Sequence, residues 1–129
     1  MWQTNEGGVR LALERLKWAL AYPKRSSHQD WNGRLRRAVA FLQMMWKDHI
    51  TFSNSEFAQV SDPGLLPFTA LSQQLLELRR EHRSLTAHLA ALAKQSGSAR
   101  RPDLLCRRAE HLLAAMERHL ATEHELACD

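Results

Sequence analysis

Four stretches of this chain repeat apolar residues in steps of three and four, and proline- or glycine-bearing breaks separate them. The stretches run over 7–22, 28–59, 66–94 and 101–127, and that period is the mark of an amphipathic helix. The breaks are "AYPKRSSHQDW" (21–31), "SDPGLLP" (61–67) and "KQSGSARRPD" (94–103), each carrying residues that interrupt a helix. No alternating strand pattern and no internal repeat competes with this reading. Long amphipathic helices joined by short connections pack as antiparallel neighbours. The expected fold is therefore all-α, an up-down-up-down four-helix bundle in one domain over 1–129, with 1–6 a loose N-terminus.

The inward stripe of each helix can be read residue by residue. The first, Val9, Leu13, Leu16 and Leu20, is wholly apolar. The second runs Leu35, Val39, Leu42, Trp46, and then His49, Ser53 and Glu56. In the third, Leu71, Leu75 and Leu78 give way to His82 before Leu85, Leu89 and Leu92 resume. The fourth passes from Leu105, Ala109, Leu112 and Met116 to His119, Glu123 and Leu126. Three of four seams thus carry an inward histidine.

The three histidines also share a level. At 1.5 Å of rise per residue, His49 lies about 18 Å before the second break and His82 about 25 Å after it. His82 lies about 20 Å before the third break and His119 about 26 Å after it. Histidines and carboxylates left unpaired in an apolar interior would each forfeit several kcal/mol of hydration. They can hydrogen-bond one another, as His119 and Glu123 would at i,i+4, or they can share a divalent cation. Three at a common height, with Glu56 and Glu123 one or two turns away, favour the cation. Imidazole with carboxylate and no thiolate suits iron, manganese or zinc, and in helical bundles this mixture commonly builds di-iron or di-manganese centres.

These residues stand in motifs that resemble a known family. "MERHLATEHEL" (116–126) is similar to the last-helix motif of hemerythrin-like (HHE cation-binding) domains, a histidine followed four residues later by glutamate. "LRREHRSLTAHLAAL" (78–92) resembles that family's third-helix signature, where Glu-His opens a leucine-rich run. "MMWKDHITFSNSEF" (44–57), followed by "DPGLLP", looks like a divergent second-helix motif. The resemblance implies a hemerythrin-like bundle with His49, His82, His119 and Glu123 as metal ligands. Where the family usually has a glutamate four residues after the second-helix histidine, this chain has Ser53, and Glu56 is the candidate in its place. The family generally supplies a further histidine from helix one; here that stripe has none, and His28 lies beyond Pro23 in a loop or helix start. The implied cofactor is iron, as one ion or an asymmetric pair, or no metal if the site is degenerate. Its implied roles are binding or sensing of dioxygen or another small oxidant, or iron handling.

Composition narrows the remaining classes. Charged residues make up 25% of the chain and the net charge is +4, but the arginine clusters at 34–37, 78–81, 99–101 and 106–108 alternate with leucine or acidic residues, as solvated helix faces do. No nucleic-acid motif accompanies them, so no nucleic-acid partner is expected. Cys106 and Cys128 are too few and too far apart for a thiolate zinc site or a disulfide framework. No stretch approaches the roughly 18 apolar residues of a membrane span, and "MWQTNEGGVR" lacks the basic start and apolar run of a secretory signal. No membrane partner is expected, and a cytoplasmic location is. Trp18, Trp31 and Trp46 are expected to fill the bundle, and His88, His111 and His124 to be solvated. Without an inward proton carrier beside the proposed centre the chain is not read as an enzyme. The alternative function is a metal-free bundle that presents its basic surface to a protein partner.

Overall fold

The computed structural model describes residues 6–21, 28–60, 70–96 and 102–128, in four α-helices: α1 (Gly7–Ala21), α2 (His28–Val60), α3 (Ala70–Ser96) and α4 (Pro102–Cys128). The four periodic stretches are helical wherever they are described. Positions 22, 66–69 and 101 of those stretches lie outside the described residues, as does the expected loose N-terminus up to residue 5.

Local chemistry fits the helix ends. The Glu6 carbonyl accepts the Arg10 amide at 2.8 Å, which starts α1. Pro102 opens α4, where a missing N–H leaves no bond unmade. Asp103 in the first turn of α4 and Lys94 in the last turn of α3 each oppose the helix dipole.

Contacts between helices run in opposite senses around a closed ring. Between α1 and α2, Gly8 faces Met45, while the Arg15 guanidinium lies 4.3 Å from the centre of the Phe41 ring. A Cβ on Gly8 would stand 2.8 Å from Met45 Sδ, so the two helices approach closely over a missing side chain. Between α2 and α3, Trp46 Nε1 donates to Thr86 Oγ1 at 3.0 Å and His49 packs against His82. Between α3 and α4, residues 81–85 face 115–122, and 84–95 face 107–115. Lys17 and Glu117, at 2.8 Å, and Glu6 and His124, at 3.7 Å, close α1 onto α4. The bundle is antiparallel throughout.

Its apolar core is built from the predicted stripes. Leu13 and Leu16 of α1, Leu35 and Leu42 of α2, Leu85 and Leu89 of α3, and Leu112 and Met116 of α4 are all buried in one cluster. Leu20 is only half-buried against it. Trp31 and Trp46 are buried as expected, but Trp18 is 75% exposed and does not fill the bundle. It stands two residues from Leu16, about 200° round the helix, on the face opposite the stripe. Trp2 lies outside the described residues. The arginines at 36, 37, 79, 80, 107 and 108 are exposed, as solvated faces require. Among the described residues, no helix is long and apolar enough to cross a membrane.

Candidate metal centre

On α2, α3 and α4 the inward stripe continues from leucine into histidine, and the helix geometry carries each imidazole inward as it carried the leucine before it. His49, His82, His119 and Glu123 are all buried, at 0%, 3%, 2% and 1% exposure. The ring centres of His82 and His119 lie 4.6 Å apart, those of His49 and His82 5.6 Å, and those of His49 and His119 6.4 Å.

Trp46 closes the layer on the side of the apolar core. Its ring stacks on His49 at 5.3 Å and meets His82 and His119 edge-on, both at 5.6 Å. The indole N–H is satisfied by Thr86, whose own hydroxyl donates to the His82 carbonyl at 2.6 Å.

The three imidazoles converge on one carboxylate oxygen. Glu123 Oε2 lies 3.0 Å from His49 Nε2, 2.9 Å from His119 Nε2 and 3.6 Å from His82 Nε2. Its other oxygen, Oε1, accepts the Ser53 hydroxyl at 3.0 Å. Ser53, one turn beyond His49 on α2, is thus a small donor that orients the carboxylate. On the outer side, His119 Nδ1 is hydrogen-bonded to Glu81 Oε2 at 2.5 Å.

That outer bond constrains the inner one. With its proton on Nδ1, a neutral His119 presents a bare lone pair at Nε2. Nε2 is buried without a hydrogen-bond partner, yet it lies 2.9 Å from a carboxylate oxygen that also only accepts. In that tautomer two acceptors face each other. A second proton on the ring or a cation between the two groups removes the repulsion.

The electrostatics favour ligands in their metal-binding forms. Burial alone would raise the Glu123 carboxyl, but the three imidazoles around it, His119, His49 and His82, outweigh burial and hold the group far below the ordinary carboxylate range. Burial lowers His82 below its ordinary 6.5, and the neighbouring His119 and His49 lower it further against the opposing pull of Glu123. A neutral imidazole beside an ionised carboxylate is what a divalent cation takes.

One ligand atom from each of the four residues can be chosen so that all lie within 4.8 Å of one another, and the group could hold a metal ion. Nitrogen and oxygen ligands at about 2.1 Å from one ion are separated by at most about 4.2 Å. A few tenths of an ångström of inward side-chain movement reconciles the two values.

Glu56, the remaining expected ligand, is half-buried and stands outside the group. It is seven residues beyond His49, about 10 Å along the helix, so sharing a face does not bring it to the same ion. Helix α1 contributes nothing to the group among its described residues. Glu6, just before it, is engaged by Arg10 at 2.9 Å and faces His124 instead. His28 is the first residue of α2, and its side chain lies outside the described set. His88, His111 and His124 are exposed, and Cys106 is half-buried against the core. Sequence periodicity missed Glu81 and the orienting role of Ser53. A serine directly on a seam of large residues was a usable signal for the second; nothing in one helix's pattern marked the first. No family model matches this chain, and no curated protein and no solved structure matches it.

Proposed function

We propose that this chain is a hemerythrin-like metal-binding bundle in which His49, His82, His119 and Glu123 hold a single iron ion, used to bind or sense dioxygen or another small oxidant, or to handle iron. The observation that carries the reading is the convergence of three buried imidazoles on Glu123 Oε2, with one ligand atom from each of the four residues within 4.8 Å of the others. Four nitrogen and oxygen donors leave a five- or six-coordinate iron with open positions, which is what reversible binding of a small oxidant needs. Ser53 in the place of a second carboxylate supports one ion rather than a bridged pair.

Two other readings draw on specific features. Three imidazoles and a carboxylate also suit four-coordinate zinc, which would close the site and give it a structural role. A metal-free bundle serving as an interaction module would rely on the bonds that His49 and Ser53 make to Glu123. It leaves the contact of His119 Nε2 with Glu123 Oε2 to a second ring proton, and it ranks behind the metal because all three imidazoles converge on that oxygen.

Reconstitution with ferrous ion under anaerobic conditions, followed by metal analysis and admission of air, tests the reading. About one iron per chain and a new near-ultraviolet charge-transfer absorption on oxygenation are expected. Metal no higher than trace after reconstitution would defeat it, and zinc retained in preference to iron would favour the structural role.

A further inference from the structure

Glu81 and His82 are neighbours on α3, and adjacent helical side chains diverge by about 100°. His82 points into the bundle, while Glu81 reaches across the flank to α4. There its Oε2 meets His119 Nδ1 at 2.5 Å. The two ends of this bond differ sharply, since the Glu81 side chain is 48% exposed and that of His119 is 1% exposed. Glu81 lines a groove of about 330 Å³ between α3 and α4, together with Ser84, Ala115, Arg118 and Thr122. Its carboxylate stays hydrated on one side while it fixes an imidazole that is wholly enclosed.

We propose that Glu81 is a positioning residue of the metal centre: by accepting a hydrogen bond from His119 Nδ1–H it sets the ring's tautomer and orientation, so that Nε2 enters the cluster as a free lone pair. The inference rests on the metal reading and goes beyond it, because it assigns the choice of donor atom to a half-exposed residue that is not itself a ligand. A carboxylate behind a coordinating imidazole also raises its strength as a donor, and removing such a partner weakens metal binding by about 10–100-fold. An ordinary surface ion pair at the same place would contribute little and would leave the tautomer alone.

The test uses the full chain with and without cobalt(II) as a spectroscopic probe. In the metal-free protein, nitrogen-15 NMR should find a proton on His119 Nδ1, whether or not Nε2 carries a second. Glu81→Gln keeps an accepting oxygen and should keep that tautomer, whereas Glu81→Ala should move the proton to Nε2 or mix the two forms. Cobalt affinity should fall about 10–100-fold in Glu81→Ala and less in Glu81→Gln. Glu77→Gln, one turn earlier on the exposed face, should bind like the unsubstituted chain. Affinity of Glu81→Ala within twofold of the unsubstituted chain, or a His119 Nδ1 without a proton in the latter, overturns the inference alone. Failure of the unsubstituted chain to take up cobalt overturns the metal reading and this inference with it.

Discussion

The two ends of the same seams behave as different materials. On α2, Leu35, Val39 and Leu42 lead into Trp46, and one step further stands His49. On α3, Leu92, Leu89 and Leu85 lead back to His82. Every one of these side chains is buried and inward, so the helical pattern treats them alike. Their energetics do not match. Each leucine gains about 1.5–3 kcal/mol by leaving water, with no demand on direction. Each imidazole and the Glu123 carboxylate lose hydration and recover it only where partners stand at the right angle. The apolar end holds the fold, and the polar layer regains its lost hydration only through the partners that meet within it.

The largest contrast comes from emptying the polar layer of its chemistry. Replacing His49, His82, His119 and Glu123 together by leucine should abolish metal binding, and metal analysis after reconstitution would read this directly. The same change should leave the metal-free chain as stable as before or more stable, by about 1–4 kcal/mol, since apolar side chains often outperform a buried polar cluster. A quadruple variant that fails to fold without metal would show that the network of imidazoles, Glu123 and Ser53 is itself a major support of the bundle. Single His82→Leu keeps the comparison interpretable if the quadruple change overpacks.

The apolar end should respond in the opposite way. Leu42→Ala removes a fully buried side chain one step before Trp46 and should cost about 2–5 kcal/mol in denaturant unfolding. Metal stoichiometry should stay unchanged, because Trp46 still separates the cavity from the cluster. Loss of metal in Leu42→Ala at temperatures where the chain remains folded would erase the distinction between the two regions.

This division also explains what could be read from sequence. Four helices, the antiparallel order and the stripes followed from periodicity, because burial of one face per helix is a property of the chain's own spacing. The level shared by His49, His82 and His119 followed from rise per residue and the positions of the breaks. Glu56 shows the limit of that method: spacing by seven keeps a residue on the face but moves it two turns along the axis. Glu81 shows another. A residue on a helix flank is defined by the neighbouring helix it meets, and that needs the lateral packing of α3 on α4. Whether Ser53 points at Glu123 or at its own backbone was likewise invisible until both helices were in place.

Acid should separate the regions more gently. His82 is held below its ordinary 6.5 in the folded chain, chiefly by burial, and Glu123 is held below its ordinary 4.5 by its three imidazole partners against burial. In both cases the unfolded chain binds the proton first, so stability is full above the unfolded value and falls as pH drops below it. The metal-free protein should therefore lose stability in two stages, beginning near pH 6.5 and again near 4.5. Metal loading should weaken in the same direction, since protonated imidazole cannot coordinate. Thermal melts from pH 8 to pH 4 in the presence of a chelator check this. His82→Leu should lack the upper stage, and an unchanged upper stage in that variant would move its origin to other groups.

The two tryptophans give the cleanest control, and Trp18 the smallest effect. Trp46 lies at the boundary between the regions with 1% exposure, and Trp18 is 75% exposed on the outer face of α1. Alanine at position 46 should cost about 3–5 kcal/mol, because it opens a cavity beneath the imidazoles, and should also disturb metal binding by releasing the ring that stacks on His49. Alanine at position 18 touches neither region and should change stability by no more than about 0.5 kcal/mol, with metal affinity unaltered. Fluorescence offers a second reading of the same pair. Quenching on addition of a paramagnetic ion should vanish when Trp46 is replaced by phenylalanine and persist when Trp18 is. Equal quenching in both variants would mean that the ion sits somewhere other than the layer under Trp46.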